Sequence, residues 1–341
     1  MNFKQTALKA ALAATLAMGV CSQANAFVYA GSGISVEGLS LSITGPGVTP
    51  SISRFDFNLT NTATLNGVSA IQTATCGGII GSNTCGAGSP TLDAQPAVAP
   101  GSTLGRANNA STGGEFTFFG PLTGFAGNYS TSDSVINTAE LVQLGQPTST
   151  RNVAEANLTS GTSASSSSQI QSITGLSITF TVGGPATLSL SFMADPDLQA
   201  FINNESGGTF SAQANLNASF TLNQNSGGGI FVNWNPQGTA ANDCIAIGAA
   251  CAETADSQDL NINVGTTVNG VFARSSWDPN LLTLTPFGIS VTGLTAGSYT
   301  LTLNEVKSVQ LARTVPEPGS LALMGLGLMG LFASTRRRKL G

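Results

Sequence analysis

The chain has 341 residues, 12 basic and 17 acidic side chains, a net charge of −5 and no histidine. Without histidine there is no Ser-His-Asp triad, no imidazole general base, and none of the commonest transition-metal ligand. Only 6% of residues are aromatic, so a core has to be built from Leu, Ile, Val, Phe and much Ala.

At the N-terminus Lys4 and Lys9 lead into an apolar run over residues 10–20. Ala24-Asn25-Ala26 then supplies a small-x-small site. This pattern predicts a secretory signal peptide, residues 1–26, cut after Ala26. A lipoprotein anchor through Cys21 is disfavoured, because Met18-Gly19-Val20 is a poor lipobox. Without this leader and the residues after Pro318, 292 residues remain, enough for one large β domain or two smaller ones. That part keeps all 17 acidic residues but only six basic ones: Arg54, Arg106, Arg151, Arg274, Lys307 and Arg313. Its net charge of −11 repels polyanions, so nucleic acid is excluded as a partner.

Period-two alternation dominates residues 27–314. Strands are expected over 33–44, 51–60 and 114–119, while the small, polar stretches 81–112 and 159–169 read as long exposed loops. Residues 134–144, with Asp133 as a cap and Gly145 as a stop, read as one short helix, and 197–203, opened by Pro196, as a further turn or two. Leu176, Ile178, Phe180 and Val182 alternate with Ser and Thr. Gly183-Gly184-Pro185 then turns the chain into Leu188, Leu190 and Phe192, which reads as a hairpin. From Phe210 to Leu222 every second residue is apolar, predicting a long strand with one wet face. Further strands are expected over 229–235 and 258–268, with Asn269-Gly270 as a type I′ turn signal. A second hairpin joins Ile289 and Val291 to Tyr299, Leu301 and Leu303. Together these elements predict an all-β fold, an antiparallel β-sandwich of jelly-roll-like type with long loops, over residues 27–314.

Four cysteines remain after the leader, as two close pairs, Cys76/Cys85 and Cys244/Cys251. In an oxidising compartment this spacing favours two local disulfides over a four-thiolate metal site, since neither pair has zinc-knuckle spacing. Asp195-Pro196-Asp197 reads first as a strand-end turn. Its two carboxylates, with Glu205 nearby, also make it a weak Ca²⁺ candidate, and Asp256-Ser257-Gln258-Asp259 a weaker one. No other metal or cofactor is expected. Paired carboxylates suffice for glycoside hydrolysis, but no motif singles out a pair, so no enzyme is expected. Trp234, Trp277, Tyr299 and Phe231 are the residues that would stack on sugar rings. With so few aromatics they read first as core anchors, and alternation puts Trp234 and Val232 on one face and Phe231 and Asn233 on the other. Sequons such as Asn58-Leu59-Thr60 and Asn217-Ala218-Ser219 are expected by chance in so Asn-, Ser- and Thr-rich a chain.

The last 27 residues carry the sharpest pattern: Val315-Pro316-Glu317-Pro318, an uncharged apolar run over 319–335, then Arg336-Arg337-Arg338-Lys339. The run makes at most about 25 Å of helix, at the short end for a bilayer span. The four cations would act as a membrane stop on the cytoplasmic side, leaving the rest outside. Proline on both sides holds Glu317 extended before the helix, within reach of a membrane protease. This tripartite tail resembles the PEP-CTERM sorting domain of Gram-negative bacteria. The resemblance implies recognition by exosortase, a membrane-embedded cysteine protease of bacteria that make extracellular polysaccharide, and removal of the tail. Phe57-Asn58-Leu59-Thr60-Asn61-Thr62-Ala63, Asn152-Val153-Ala154-Glu155-Ala156, Leu190-Ser191-Phe192-Met193-Ala194-Asp195-Pro196 and Ile230-Phe231-Val232-Asn233-Trp234 further resemble a family of exosortase-dependent surface proteins. That resemblance implies location and fold, and no catalytic mechanism. The expectation is a protein exported through the inner membrane, transiently anchored there, then placed on the cell surface or in the extracellular matrix. Its role would be structural or adhesive, in biofilm or floc with exopolysaccharide. A carbohydrate-binding module on the same signal is the alternative.

Overall fold

The computed structural model describes residues 27–314 except for short segments (47, 80–81, 85–90, 107–115, 122–126, 139–147, 160–162, 171–175, 204–207, 227–228, 239–241 and 274–277), together with residue 327. The first ten strands are β1 (Phe27–Thr44), β2 (Ser51–Leu65), β3 (Val68–Ile79), β4 (Ser82–Asn83), β5 (Thr91–Val98), β6 (Tyr129–Thr138), β7 (Thr148–Leu158), β8 (Ser163–Ile170), β9 (Leu176–Val182) and β10 (Ala186–Asn203). They are followed by β11 (Thr209–Gln224), β12 (Phe231–Trp234), β13 (Cys244–Ile247), β14 (Ala250–Asp256), β15 (Asn263–Thr266), β16 (Gly270–Ala273), β17 (Thr285–Leu294) and β18 (Gly297–Thr314).

They form two antiparallel sheets packed face to face. The first runs β14-β17-β10-β1-β7-β6-β5, with β16 on β10. The second runs β13-β12-β11-β18-β8-β2-β3-β4, with β15 on β11 and β9 sharing the slot of β8 between β18 and β2. The all-β sandwich expected from the alternation is therefore what the chain builds.

The connections differ from expectation in an instructive way. The hairpins read across Gly183-Gly184-Pro185 and between Val291 and Tyr299 are not hairpins. β9 pairs with β18 and β2 in the second sheet while β10 lies in the first, and β17 and β18 likewise part company. The Asn269-Gly270 turn also crosses, from β15 on β11 to β16 on β10. In a sandwich both sheets bury an alternating apolar face. Alternation, tight turn, alternation therefore describes an arch between sheets as well as a hairpin within one.

Other expectations are corrected too. The Ser-rich stretch 163–170 is no exposed loop but strand β8, with ladder partners in β18 and β2 on either side. Backbone pairing on both sides outweighs a composition that reads as loop. Residues 91–98, read as loop, form β5 and bury Ala94 and Ala97. Of the expected helix, 134–138 belong to β6, and 139–144 lie outside the described residues. Residues 197–203 continue β10 instead of turning. Residues 116–119, read as strand, run without strand pairing across the outer face of the first sheet.

That covered outer face explains the misreadings. Over residues 27–36 of β1, and through much of β6, β7 and the C-terminal part of β10, both faces are buried, so polar and apolar no longer mean out and in. Phe116, Phe118, Val135, Val153 and Leu281 form a small second core there. Phe118 lies flat on β1, where a Cβ on Gly31 or Gly33 would come within 2.8 Å of its ring. The main core lies between the sheets. Phe210, Ala212, Ala214, Leu216, Ala218, Phe220 and Leu222 of β11 all point into it, as the alternation predicts. β1 changes phase on the way. Val28, Ala30, Ile34 and Val36 face the core before a bulge between Glu37 and Ser40, and Leu39, Leu41 and Ile43 face it after. Gly38, at φ 66°, takes the left-handed conformation that the bulge needs. Phe27 pairs with Asn203 and Thr314 with Thr209, so both ends of the sandwich leave it at the same pole.

Candidate functional site

The acidic positions singled out in the sequence separate in the fold. Asp195 and Asp197 lie in the middle of β10, opposite Ser35 and Gly33 of β1, and both are buried. The Asp195 carboxylate accepts the backbone N–H of Thr283 at 2.7 Å. The strand-end turn expected for them is therefore wrong. Pro196, which has no N–H, falls between the β17 ladder, which reaches Ala194, and the β16 ladder, which begins at Gln199. The lower-ranked acidic stretch is the one that gathers carboxylates. Asp243, Glu253 and Asp256 each place an oxygen within 4.8 Å of the others, a spacing that suits a divalent cation. Glu253 accepts hydrogen bonds from Trp234 Nε1 at 2.7 Å and from the Asp243 N–H at 3.1 Å, and Asp256 accepts the Gly238 N–H at 2.8 Å. Partial burial, reinforced by Glu253 and Asp243 and opposed by the Gly238 N–H, pushes the Asp256 carboxyl above the usual range.

Two buried carboxylates that sequence reasoning passed over are more deeply built in. On the covered outer face, Glu155 of β7 accepts hydrogen bonds from the hydroxyls of Tyr29 and Tyr129, each at 3.0 Å. Arg106 adds a bond at 2.8 Å, and the backbone N–H groups of Phe119 and Gly120 add bonds at 3.1 and 2.7 Å. The Arg106–Glu155 pair is sealed from solvent, and its guanidinium also stacks on Phe119. Burial raises the Glu155 carboxyl against the pull of Arg106. Burial together with Glu155 pushes both tyrosine hydroxyls well above their ordinary value. This network clamps Arg106 and residues 117–120 onto the sheet.

The second lies between the sheets. β18 alternates inward through Tyr299, Leu301, Leu303, Glu305, Lys307, Val309 and Leu311, so a carboxylate and an amine sit in line with leucines. Lys307 Nζ donates to Glu305 Oε2 at 2.7 Å. From the facing sheet, Asn152 Nδ2 donates to the same oxygen at 3.0 Å, and the Thr150 hydroxyl lies 3.2 Å from Oε1. Burial pulls the Lys307 amine below its ordinary value, and Glu305 opposes the shift. Other polar groups bridge the sheets nearby: Ser32 to the Asn215 carbonyl, Ser132 to the Thr62 carbonyl, and Ser134 to Asn61. Strict alternation along β18 was the available signal. It places 305 and 307 on the apolar face, where ordinary surface charges would not sit.

Cys244 and Cys251 are disulfide-bonded, joining β13 of the second sheet to β14 of the first. A metal site built from all four thiolates is thereby ruled out. Cys76 is disulfide-bonded as well, and Cys85, its expected partner, lies outside the described residues. Trp234 is fully buried against Phe220 and Phe192, and Tyr299 is stacked on Phe180, so both are core anchors as expected. Trp277 lies outside the described residues. So do Ala24 and Ala26, Val315 to Pro318, and Arg336 to Lys339.

β18 stays paired with β11 to its last residue, where the Thr314 hydroxyl donates to the Thr209 carbonyl at 3.1 Å. The next feature in the chain starts at that residue. Residues 314–338 match the PEP-CTERM protein-sorting motif. The PEP-CTERM motif implies export and exosortase-dependent sorting to the cell surface. Comparison with curated proteins and with solved structures returns no match to the chain. In this chain the PEP-CTERM tail follows a central strand of the sandwich with no linker between them.

Proposed function

We propose that the chain is a non-catalytic surface protein. Its sandwich crosses the inner membrane behind a leader cut after Ala26, is held briefly by the apolar tail, and is released by exosortase into the surface or extracellular matrix. There it acts as a structural or adhesive component with exopolysaccharide. The observation that carries this reading is the sorting motif abutting β18 at Thr314, at the pole where Phe27 also emerges. Both processing points of such a pathway then lie at one end of the domain, and the other end projects away from the membrane. The acidic, weakly charged surface supports solubility outside the cell, and the disulfides suit an oxidising compartment. The carbohydrate-binding alternative loses support, because Trp234 and Tyr299 are inside the core.

Glu317→Ala in the full chain tests the sorting step. The expected result is an unprocessed precursor in the inner-membrane fraction, and normal release at normal mass counts against the reading. A strain lacking the protein is expected to shed exopolysaccharide and form weaker biofilm, and unchanged matrix retention would remove the structural role.

A further inference from the structure

The Glu305 carboxylate holds an amine and a carboxamide on one oxygen atom, in a place without solvent. Lys307 Nζ is 2.7 Å from Oε2 and Asn152 Nδ2 is 3.0 Å from it, so the two nitrogens lie no more than the sum of those bonds apart. From this juxtaposition we infer that the mature protein carries an intramolecular amide bond between Lys307 Nζ and Asn152 Cγ, made with release of ammonia and assisted by Glu305.

The chemistry balances within the three side chains. One proton crosses the Lys307–Glu305 hydrogen bond, giving a neutral amine and a carboxylic acid. Burial of Lys307 lowers the cost of that transfer, since a charged amine away from water is held at a penalty. The Nζ lone pair attacks Cγ of Asn152 while the protonated Glu305 polarises the carboxamide. Glu305 then relays a proton from Nζ to Nδ2, the Cγ–Nδ2 bond breaks, and ammonia leaves. The product is a secondary amide with one hydrogen on Nζ. Nothing is oxidised or reduced, and no co-reactant is needed. Two opposite charges buried among Leu303, Val309, Ala154 and Ile34 are replaced by neutral groups, which favours the product in an apolar core. Proximity supplies the rest: three groups fixed by packed strands meet without the entropy cost of a bimolecular encounter.

The location gives the bond a use. Asn152 belongs to β7 of the first sheet, and Lys307 to β18 of the second, the strand that leads straight into the sorting tail. Tension applied at the C-terminal end would pull on β18, and a covalent tie to the other sheet would stop it from peeling out. The inference stands on the interior geometry and is independent of the proposed sorting, since the bond needs only the folded sandwich.

The test is peptide mapping of the reduced protein recovered from cells, with its intact mass. The expected result is a branched peptide joining the segments that hold Asn152 and Lys307, and a mass lower by one ammonia. The branched peptide decides, because Asn269-Gly270 can also lose ammonia by cyclising on its own backbone. Glu305→Gln, which keeps size and hydrogen bonding but relays no proton, is expected to yield the two peptides unlinked. Unlinked peptides in the wild-type protein would overturn the inference and leave an ordinary buried ion pair.

Discussion

Glu155 and Glu305 are both fully buried carboxylates on central strands, yet they do different things because of the cation each one faces. Glu155 meets the planar guanidinium of Arg106, and the Phe119 and Gly120 N–H groups also donate to it. It is a fixed charge clamping a covering segment. Glu305 meets Lys307, whose amine burial pushes toward neutrality, with a carboxamide on the same oxygen. Around Glu155 the described partners are a guanidinium, two hydroxyls and two backbone N–H groups, whereas Glu305 holds an amine and a carboxamide on one oxygen. Equal burial therefore produces a structural clamp in one place and a reactive centre in the other.

The largest effect should come from breaking the clamp. Glu155→Ala removes the carboxylate shared by Arg106, Tyr29 and Tyr129 and leaves a buried guanidinium without its counter-charge, and is expected to cost about 3–5 kcal/mol by denaturant titration. A loss under about 1 kcal/mol would mean that the segment is held by Phe116 and Phe118 alone. Next comes the covalent tie at the edge of the sandwich. Cys244→Ser with Cys251→Ser should lower stability by about 2–3 kcal/mol, if a short-loop disulfide is what holds β13 to β14. Arg106→Lys makes the outer site resemble the inner one and drops the bond from Nη1 to the Thr117 carbonyl, for an expected loss of about 1–3 kcal/mol. No ammonia should be lost at the outer site, and branched peptides from it would show that the inner carboxamide is not what matters.

Alkaline titration sharpens the same contrast. The folded state holds Tyr29 and Tyr129 un-ionised above the point where unfolded tyrosine ionises, roughly pH 10. Stability from these groups is fully present below that pH and is lost as pH rises beyond it. Tyr129→Phe should flatten the decline measured between pH 9 and about 11, and an unchanged slope would show that Tyr129 does not contribute. The smallest effect belongs to the half-buried carboxylate cluster. Asp256→Asn removes a like charge beside Glu253 and Asp243, so the melting temperature at neutral pH should rise by about 1–2 °C. Because the folded carboxyl is raised, its contribution is present below about pH 4 and lost as pH rises through the folded value, so the advantage of Asn should vanish in acid. A lower melting temperature at neutral pH would mean that the Asp256 charge makes a favourable contact there.

The sequence made the strands legible and left the sheets hidden. β11 could be read residue by residue from Phe210 to Leu222, since one of its faces is wet. The arches at Gly183-Gly184-Pro185 and Asn269-Gly270 could not be told from hairpins, because a turn says nothing about which sheet receives the next strand. β6 and β7 were opaque for another reason. Covered on both sides, they bury Ser130, Ser132, Asp133 and Glu155 as completely as Val153, so polarity carries no facing information. The sorting motif was legible, because it is defined by composition and order along the chain. Glu305 and Lys307 were legible in principle from the alternation of β18, but only their burial shows what that position means.

The proposed sorting has the tail read and removed outside the cell. Mapping both termini of the protein recovered from the extracellular fraction tests this most directly. The predicted chain starts at Phe27 and lacks the apolar run and Arg336 to Lys339. A released protein that still ends at Gly341 would contradict it.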